Sequence, residues 1–581
     1  MTTTTSTPRT SVCIALCGSG GAGVMTAGNL LLEAAAQAGW YGLMVRSSGP
    51  QIRGGEAAAL MRIATHPIDC MDDRFDAIVA VDWQNIHRFA DEVPLDRSSL
   101  IVGDPEQGAP PEVFVKSGAR AVELPMKKIA KGIPGSWPNM IALGFASQLL
   151  GIPADKVKAV VARSLKKGAE QLPASVAAIE AGRAAAAGEG AAFTLAAPPA
   201  ARAKRWLITG NQAAGFGAIR GGVRFVAAYP ITPATELLEY MAPALPQVGG
   251  VLVQAEDELA SVNMIVGASY GGVPALTATA GPGLALMTEA LGLAVAAEVP
   301  IVVVDVMRGG PSTGIPAKSE QSDVSIALWG LHGDAPRLVI APNSIADCLT
   351  ATQWAVHLAE ALQAPAIVLS DQFFGQARAV TDRPADSGLV GERLTAPAGS
   401  EGYKRYAVTD SGVSPMAIPG TPGLAYTADG LEHSERGIPS SGAADHRVQL
   451  AKRERKLVAH DYGAQWADVE GEGGIAVVTF GSCTGAAREA IARARADGVN
   501  ARLVSMRLLA PARPKLLAAA LDGVDRVLVV EQNHGGQFLR YLRAEFELPR
   551  TVRSFRHPGP LPIRPEEVHR QILALEEESP R

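Results

Sequence analysis

Three adjacent carboxylates, Glu256, Asp257 and Glu258, stand directly before a mostly apolar helical stretch that is rich in alanine and glycine. Acidic side chains are common in the first turn of a helix, because they interact favourably with the positive end of the helix dipole. A buried carboxylate at such a position can instead transfer a proton to or from a ligand. The sequence is compatible with both roles.

A turn with restricted backbone freedom carries the hydroxyl of Thr232. The segment YPITP, residues 229–233, follows an apolar strand and places Pro230 and Pro233 around this threonine. Proline fixes its own φ and restricts the residue before it. The turn can simply end a strand, or it can present the Thr232 hydroxyl to a ligand from a preorganised backbone.

Two further apolar strands end in glycine-rich segments, TATAGPG at 277–283 and RGGPSTG at 308–314. Turns alone would account for the glycines. Arg308, however, emerges from the apolar strand 301–304, and a guanidinium is costly there unless it meets an anion. The carboxylate of a bound ligand would satisfy this arginine.

The loop GSGGAG places Gly18, Gly20 and Gly23 at the spacing of a dinucleotide-binding fingerprint, between a strand and a helix. The next strand ends at Arg46 and Ser47 and lacks the acidic residue that binds the ribose of NAD. NAD is therefore disfavoured, whereas Arg46 leaves NADP open. The helix N-terminus can also hold another phosphate, or the loop can be purely structural.

Alternating strands and helices that position these residues predict an α/β protein. The predicted parts are an α/β block at 8–182, a linker at 183–203, a second block at 204–385, a connector at 386–472 and a small α/β domain at 473–581. The first block begins with a βαβ unit, and the continuous apolar strands of the second predict a parallel, doubly wound sheet. Ligands bind beyond the carboxyl ends of such strands, so the chemistry is expected there.

Composition narrows the class of protein. The 581 residues are too many for one hydrophobic core, and 53 basic against 58 acidic residues give a net charge of -5 without a basic stripe. Nucleic acid is therefore not an expected partner. The apolar tract 284–307 is interrupted by acidic residues and a proline, so it predicts a buried helix and strand and no membrane span.

The five cysteines are scattered, with no CxxC pair. This pattern favours a reducing cytoplasm and excludes a self-contained iron–sulfur site. Cys13 and Cys17 lie on a predicted strand and are interpreted as core residues. The sequence begins without an apolar stretch of signal-peptide length, so the chain is expected in the cytoplasm.

Several polar segments are predicted to be structural. The run KRERK at 452–456 is interpreted as a solvated helix face, and GSCTG at 481–485 and EQNHGGQ at 531–537 as polar turns. His332 and His534 are assigned no role.

The sequence resembles the alpha subunit of 2-oxoacid:ferredoxin oxidoreductases in a series of segments. In chain order they are YPITPAT, QAEDELA, TATAGPG, RGGPSTG with EQSD after it, LEHSERG and EQNHGGQ. The N-terminal GSGGAG and SSGPQIRGG resemble the gamma domain of that family, fused in front of alpha. The resemblance spans nearly the whole chain. It implies three Rossmann-like domains: a gamma domain, a thiamine pyrimidine-type domain and a transketolase C-terminal-like domain.

The resemblance implies oxidative decarboxylation of a 2-oxoacid to an acyl-CoA, with electrons passing through iron–sulfur clusters to ferredoxin. Overall likeness to the fused form favours 2-oxoglutarate over pyruvate or branched-chain 2-oxoacids. By its spacing to Gly267 and Ala268, Glu258 matches the glutamate that contacts the thiamine aminopyrimidine and activates the cofactor. Thr232 and Arg308 match the positions that hold the substrate.

Other positions follow the resemblance less closely. Ala317 stands where the family commonly has threonine, which leaves substrate preference open. Lys318 either reaches the distal carboxylate of 2-oxoglutarate or is a solvated lysine. The resemblance further implies that Tyr229 and Pro230 contact the cofactor. It implies either coenzyme A contact or a structural turn for Gly20, Gly21, Gly49 and Arg53.

A thiamine enzyme also needs a site for the diphosphate and magnesium, usually a Gly-Asp-Gly and a later Asn-Asn, and this sequence has no such pair. The resemblance therefore implies a beta subunit that carries thiamine diphosphate, Mg²⁺ and a [4Fe–4S] cluster, in an assembly of two heterodimers. Two other hypotheses stay open: an NADP-dependent dehydrogenase with a fused thiamine-like domain, and a scaffold subunit without catalytic activity.

Overall fold

The chain divides into two compact units in a computed structural model. The model describes residues 9–49, 55–165, 169–189, 193–199 and 204–578. Unit 1 contains Met1–Ile208, Ala377–Arg383 and Arg564–Glu566. Unit 2 contains Thr209–Gln376, Pro384–Ile563 and Glu567–Arg581.

The described residues form strands and helices that alternate along most of the chain. The strands are β1 (Ser11–Ser19), β2 (Tyr41–Ser48), β3 (Glu56–Ala64), β4 (Ala77–Ala80), β5 (Leu100–Gly103), β6 (Arg120–Glu123), β7 (Arg205–Thr209), β8 (Phe225–Ala228), β9 (Val251–Gln254), β10 (Ala275–Thr279), β11 (Val302–Met307), β12 (Leu338–Ile340), β13 (Ala366–Asp371), β14 (Arg378–Asp382), β15 (Ala467–Glu470), β16 (Ile475–Thr479), β17 (Ala501–Met506), β18 (Leu508–Ala510), β19 (Arg526–Glu531) and β20 (Thr551–Arg556). The helices are α1 (Val24–Ala38), α2 (Glu112–Val115), α3 (Met126–Lys131), α4 (Pro138–Leu149), α5 (Ala154–Ser164), α6 (Leu172–Ala185), α7 (Gly210–Gly221), α8 (Thr235–Ala244), α9 (Glu258–Tyr270), α10 (Gly281–Ala296), α11 (Val324–Trp329), α12 (Asp347–Leu362), α13 (Gln372–Gln376), α14 (Ala443–Val458), α15 (Cys483–Ala496), α16 (Pro514–Ala520), α17 (Gln537–Glu545) and α18 (Pro565–Glu577). The α/β class predicted from the sequence is confirmed.

Unit 1 is built on a mixed sheet with the strand order β6-β5-β4-β1-β3-β2-β14-β7. β3 lies between β1 and β2 and is antiparallel to both, whereas β4, β5 and β6 continue parallel to β1. The predicted β1–α1–β2 unit is therefore present, with a third strand inserted between its two strands. The apolar strands and α1, α4, α5 and α6 bury one continuous core. Cys13 and Cys17 are buried residues of β1, as predicted.

Two boundaries differ from those predicted. β7 and β14 were grouped with the second block, but they complete the edge of the unit 1 sheet, where β14 pairs with β2. The helix α6 ends at Ala185, so the first residues of the predicted linker at 183–203 are helical. Pairing between strands far apart in sequence leaves no local signal, which explains the first difference.

The central sheet of unit 2 has the order β18-β12-β13-β11-β10-β8-β9. Its strands are parallel except β18, which pairs antiparallel with β12. Every residue of β11 and β13 is buried, and burying one valine or isoleucine side chain contributes about 1.5–3 kcal/mol. The parallel sheet predicted from continuous apolar strands is present.

The apolar tract 284–307 forms most of α10 and all of β11, as its interrupted composition predicts. Across the described parts of the chain, no helix combines the length and apolar composition that crossing a bilayer requires.

A third sheet, also in unit 2, has the order β15-β17-β16-β19-β20. β15 is antiparallel to β17, and the remaining strands are parallel. β18 follows β17 directly and leaves this sheet for the edge of the central one.

The predicted solvated face at 452–456 is wrong. Lys452, Arg453 and Lys456 of α14 are buried. The Lys452 Nζ donates to Glu298 Oε1 at 2.6 Å, and the Lys456 Nζ donates to Glu298 Oε2 at 3.0 Å. A charge run looks solvated when its sequence is read alone, whereas these cations meet a buried acid that lies far away in the chain.

Candidate active site

Four neighbouring parallel strands, β9, β8, β10 and β11, bring the predicted site residues to one edge of the central sheet. The segment 229–232 follows β8, Glu258 follows β9, Gly281 and Gly283 follow β10, and Arg308 follows β11. Their carboxyl ends meet at the same edge, where ligands bind in parallel sheets.

The three clustered acids have different environments. Glu256 is exposed, and Asp257 caps α9 by accepting a hydrogen bond from the Ala260 main-chain N–H at 2.7 Å. Glu258 is the first residue of the helix and only 7% exposed. Asp257 therefore has the structural role of an acid at a helix N-terminus, whereas Glu258 is the acid that is buried and available to a ligand.

Glu258 lies against the first turn of α10. A Cβ placed on Gly283 would lie 2.8 Å from the Glu258 Cγ and 2.9 Å from its Oε1. The same Cβ would lie 2.0 Å from the hydroxyl oxygen of Thr279, so only glycine fits here. No described residue forms a hydrogen bond or ion pair with the Glu258 carboxylate. A buried acceptor without a partner fits a ligand that donates a hydrogen bond, as an aminopyrimidine does.

The structure brings Arg308 and Thr232 into contact. The Arg308 Nη1 donates to the main-chain carbonyl of Thr232. The arginine is 6% exposed, its Nε has no hydrogen-bond partner, and burial lowers the pKa of its guanidinium. The bond uses the carbonyl of Thr232 and not its hydroxyl, and the guanidinium keeps donor capacity for an anion.

Two further acids, which sequence reasoning missed, act electrostatically on Arg308: the charges of Asp323 and Asp305 oppose the lowering of its pKa by burial. Asp305 is fully buried within β11, and Asp323 directly precedes α11. Burial is the main cause that raises the pKa of Asp305 well above its usual value, and the charge of Asp323 adds to it. Burial, followed by the charge of Glu320, raises the pKa of Asp323 to about 7. The available signal was a single acid inside the otherwise apolar strand 301–307.

The segment EQNHGGQ holds the loop that carries Asp323, a role that the polar-turn prediction did not assign. The Gln321 N–H donates to the Gln532 carbonyl at 2.7 Å, and the Gln532 N–H donates to the Gln321 Oε1 at 2.9 Å. The Gln537 side chain accepts from the Ser325 N–H at 2.8 Å and donates to the Ser322 carbonyl at 2.7 Å. Asp323 thus lies between two anchored residues.

The remaining predicted contacts of unit 2 lie in the same loops. Tyr229 is 40% exposed and Pro230 is half-buried. Lys318 is half-buried, and its main chain closes the RGGPSTG loop, because its carbonyl accepts the Gly309 N–H at 3.1 Å. Gly314 has a φ of +50°, and a Cβ there would lie 1.7 Å from the Gly309 carbonyl oxygen, so the loop requires glycine.

In unit 1, Gly20 and Gly21 are exposed in the loop between β1 and α1. Gly49 packs on Glu56, since a Cβ on this glycine would lie 1.9 Å from the Glu56 Oε1. Arg53 lies outside the described residues. Gly20 and Gly21 follow β1 and Gly49 follows β2, and the structure assigns these three positions no ligand.

The geometry of unit 1 does not support the NADP alternative. In a dinucleotide fold the strand that recognises the ribose lies next to the strand that leads into the glycine loop. Here β3 separates β2 from β1, so Arg46 lies two strands from that loop. The end of β1 is also occupied by an acid: the Ser19 N–H donates to both carboxyl oxygens of Asp82, at 2.9 and 3.1 Å.

Three protein families match consecutive parts of the chain. Residues 13–185 match pyruvate ferredoxin/flavodoxin oxidoreductase. Residues 216–453 match the thiamine-diphosphate-binding domain of pyruvate flavodoxin/ferredoxin oxidoreductase. Residues 474–567 match core domain II of pyruvate:ferredoxin oxidoreductase. The chain therefore contains a thiamine-diphosphate-binding domain.

Curated relatives and a solved structure resemble most of the chain. The 2-oxoglutarate synthase subunit KorA of Methanothermobacter marburgensis is 35% identical over 64% of this chain and 99% of its own length. Subunit alpha of 2-oxoacid:ferredoxin oxidoreductase 2 from Aeropyrum pernix is 30% identical over 90% of this chain and 91% of its own.

The solved structure is 2-oxoglutarate:ferredoxin oxidoreductase from Magnetococcus marinus with 2-oxoglutarate, coenzyme A and succinyl-CoA bound. It is 37% identical to this chain and has a TM-score of 0.90, covering 97% of this chain and 99% of its own. Sequence, fold and the residues gathered at the strand ends agree: the chain is an oxidoreductase that belongs to the 2-oxoacid:ferredoxin oxidoreductase family.

Proposed function

We propose that this chain is the gamma–alpha subunit of a heteromeric enzyme that oxidatively decarboxylates 2-oxoglutarate to succinyl-CoA, or runs the reverse carboxylation, with ferredoxin as electron partner. The observation that carries the proposal is that Glu258, buried and without a hydrogen-bond partner among the described residues, and the buried Arg308 lie at the same edge of the central sheet.

Glu258 is the proposed proton-transfer residue. When bound, thiamine diphosphate supplies a carbanion that cleaves the bond between a keto carbon and its carboxylate. The Glu258 carboxylate would hold a proton at the aminopyrimidine nitrogen, because it is a buried acceptor with no protein partner. Tyr229 and Pro230, at the neighbouring strand end, would contact the same cofactor.

Arg308 is the proposed anchor of the substrate carboxylate. Its Nη1 is held by the Thr232 carbonyl while its Nε lacks a partner, so the guanidinium is oriented and retains donor capacity. A charge-assisted hydrogen bond in a buried site is stronger than its counterpart in water. The Thr232 hydroxyl would contact the keto end.

A beta subunit is proposed to cover the outer faces of α9 and α10. Leu259 and Met264 of α9 are 51% and 41% exposed, and Leu286 of α10 is 50% exposed. Neighbouring large apolar side chains that are exposed can mark a protein–protein interface. Both helices begin at the candidate site, so a partner on this face would reach the same cofactor.

The partner would bring the groups for which this chain has no motif. We assign to it Mg²⁺, the diphosphate site and a [4Fe–4S] cluster, in an assembly of two heterodimers that reduces ferredoxin. The buried free thiols suit a reducing compartment, so the proposed location is the cytoplasm.

Coenzyme A is proposed to approach the glycine loop of unit 1. Gly20 and Gly21 are exposed there. The solved relative from Magnetococcus marinus contains coenzyme A, which supports this substrate for the present chain. Gly49 and Arg53 are proposed as further contacts.

The proposal is tested by co-expressing the chain with the beta-type subunit of the same organism. The purified complex is expected to contain thiamine and iron and to reduce viologen only when both 2-oxoglutarate and coenzyme A are present. Glu258→Gln should lower the rate by about 10²–10⁴-fold, the usual contribution of general acid–base catalysis. Glu256→Gln, an exposed neighbour, is the matched control. Full activity in Glu258→Gln would contradict the assignment.

Substrate choice is tested at Lys318. Lys318→Ala is expected to raise the KM for 2-oxoglutarate about tenfold, because it removes one charge-assisted contact of about 1.5 kcal/mol with the distal carboxylate. The KM for pyruvate, which has no distal carboxylate, should stay unchanged. Equal changes for the two substrates would remove Lys318 from the specificity site.

A further inference from the structure

Gln321 lies in the loop between β11 and α11, and its side chain is completely buried against the domain at 473–581. The Nε2 donates to the Phe480 carbonyl at 3.0 Å, and the Oε1 accepts from the Gln532 N–H at 2.9 Å and from the Cys483 thiol at 3.3 Å. The neutral amide of a glutamine supplies a donor and an acceptor at once, and this contact uses both.

The main chain of Gln321 is attached to the same domain. Its N–H donates to the Gln532 carbonyl at 2.7 Å, and its carbonyl accepts from the Asn533 Nδ2 at 3.2 Å. Phe480 follows β16 and Gln532 follows β19, two neighbouring parallel strands of the third sheet. Ligands bind beyond the carboxyl ends of such strands. In the third sheet, Gln321 occupies this position.

Two glycines of the domain at 473–581 make room for this loop. Gly481 has a φ of +62°, and a Cβ there would lie 2.6 Å from the Gln321 Nε2. A Cβ on Gly559 would lie 2.6 Å from the Ser319 carbonyl oxygen. A larger residue at either position would push the loop away, so the domain is shaped to receive it.

The loop is also attached to the strand end that carries Arg308. The Gly309 N–H donates to the Lys318 carbonyl at 3.1 Å, and the Ser322 hydroxyl lies 3.5 Å from the Arg308 carbonyl. Residues on both sides of Gln321 therefore contact the main chain at 308–309. Displacement of Gln321 would be transmitted to the backbone from which the Arg308 side chain projects.

We infer that Gln321 is a positioning residue for substrate binding: it ties the Arg308 loop to the third sheet, so that the guanidinium is oriented before the substrate arrives. The inference rests on the proposed role of Arg308 as substrate anchor. A loop that is already ordered loses little conformational freedom when a ligand binds, whereas a released loop must be ordered by the ligand, which weakens binding.

Gln321→Met tests the positioning role. Methionine has a similar length but no amide, so the side-chain hydrogen bonds are lost while the main-chain bonds remain possible. Calorimetry on the co-expressed complex without thiamine diphosphate should show the Kd for 2-oxoglutarate raised by at least about tenfold, the effect of weakening one charge-assisted hydrogen bond. In the loaded complex, KM should rise more than kcat falls. Hydrogen–deuterium exchange should become faster at 309–323.

Gln353→Met is the matched control. Gln353 of α12 is also buried, and its Nε2 holds a different loop by donating to the Leu389 carbonyl at 2.7 Å. This variant should speed exchange around residue 389 and leave the Kd for 2-oxoglutarate unchanged. An equal rise of the Kd in both variants would show a general loss of stability and overturn the positioning role.

Arg308→Ala separates this inference from the proposed function. Wild-type affinity in Gln321→Met, together with lost affinity in Arg308→Ala, would overturn the role of Gln321 and leave the anchor intact. Wild-type affinity in Arg308→Ala would refute the anchor, and with it this inference. If Gln321→Met does not fold, Gln532→Ala removes only the side-chain bond to the Ser319 carbonyl, at 3.2 Å, and should still raise the Kd. Faster loop exchange in Gln532→Ala without a change in the Kd would also overturn the inference.

Discussion

Glu258 and Gly283 face each other at the start of two helices, and at the residue scale this contact determines the position of the carboxyl proposed for proton transfer. Glu258 begins α9, and Gly283 lies in the first turn of α10. The space above Gly283 is filled by the Glu258 side chain and the Thr279 hydroxyl. The carboxyl is thus placed by the absence of a side chain on the opposite helix.

Gly283→Ala is expected to displace Glu258 and lower 2-oxoacid-dependent viologen reduction by at least about tenfold, since a misplacement of 1 Å can cost 10²-fold in rate. The matched control is Gly292→Ala in the same helix, where a Cβ meets only the His332 Nε2, at 3.9 Å. Alanine favours a helix over glycine by about 1 kcal/mol, so the control should be active and slightly stabilised. Equal activity in the two variants would show that Glu258 tolerates displacement.

Single residues were predictable where a local pattern marked them. Arg308 was singled out because a cation follows an apolar strand; the structure buries it, and its contact with substrate is a proposal. Asp305 and Asp323 were missed, since their environment depends on the N-terminus of α10 and on loops from the last block. Such contacts join segments far apart in sequence and leave no periodicity to read.

At the scale of elements, the connector at 386–472 forms hydrogen bonds with the C-terminal end of α10, the helix whose first turn contacts Glu258. The Arg405 guanidinium donates to the main-chain carbonyl of Glu298 at 2.8 Å, and His433 Nε2 lies 3.0 Å from the Ala296 carbonyl. Cations are favourable at this end of a helix, where carbonyls lack partners. The connector thereby fixes α10 at the end opposite the site.

A second contact of the connector is the ion pairing of Lys452 and Lys456 of α14 with Glu298, which follows α10. Glu298→Gln should weaken this contact. It would leave Lys452 and Lys456 buried without their anion, which typically costs about 3–5 kcal/mol. Hydrogen–deuterium exchange should show faster exchange in α14, whereas Glu454→Gln, an exposed acid of the same helix, should not. Unchanged protection of α14 would show that packing alone holds the connector.

The ion pairing of Glu298 with Lys452 and Lys456 is expected to depend on pH in a defined direction. Burial opposes ionisation of Glu298, but the charges of Lys456, Lys452 and Arg405 outweigh it and hold the pKa of this carboxyl below its usual range. A carboxyl with a depressed folded-state pKa contributes stability at neutral pH that is lost as the pH falls below its ordinary value near 4.5. Protection of α14 should therefore fall in acid for the wild type and respond less in Glu298→Gln.

The sequence predicted which segments form strands better than it predicted which strands pair with each other. The apolar runs of β1, β11 and β13 predicted strands that are present and buried. The insertion of β3 between β1 and β2 was not predicted, and neither was the crossing of β18 into the central sheet. Strand order is decided by long-range packing, which local sequence does not encode.

At the scale of the whole molecule, the exposed apolar side chains Leu259, Met264 and Leu286 of α9 and α10 support the proposed interface with a beta subunit. Leu286→Lys should weaken association with the beta subunit, because it places a charge in an apolar interface. Mass photometry of the co-expressed complex should then show free chain. Val469→Lys, at a 46% exposed position of β15, is the control and should leave the complex intact. A complex of wild-type stability in Leu286→Lys would move the interface elsewhere.

The late strand β14 has a consequence for how this gene can be divided. The polypeptide leaves the first sheet after β7 and returns to it at β14, which lies between β2 and β7. A fragment that ends with the alanine- and glycine-rich stretch would leave β2 as a bare outer strand, and bare strands pair with any extended segment they meet. If the gene were split at this point, the second polypeptide would have to supply β14 and β7 to complete the first sheet. Replacing the first block with that of a relative should therefore preserve the sheet only when β7 and β14 are replaced together with it.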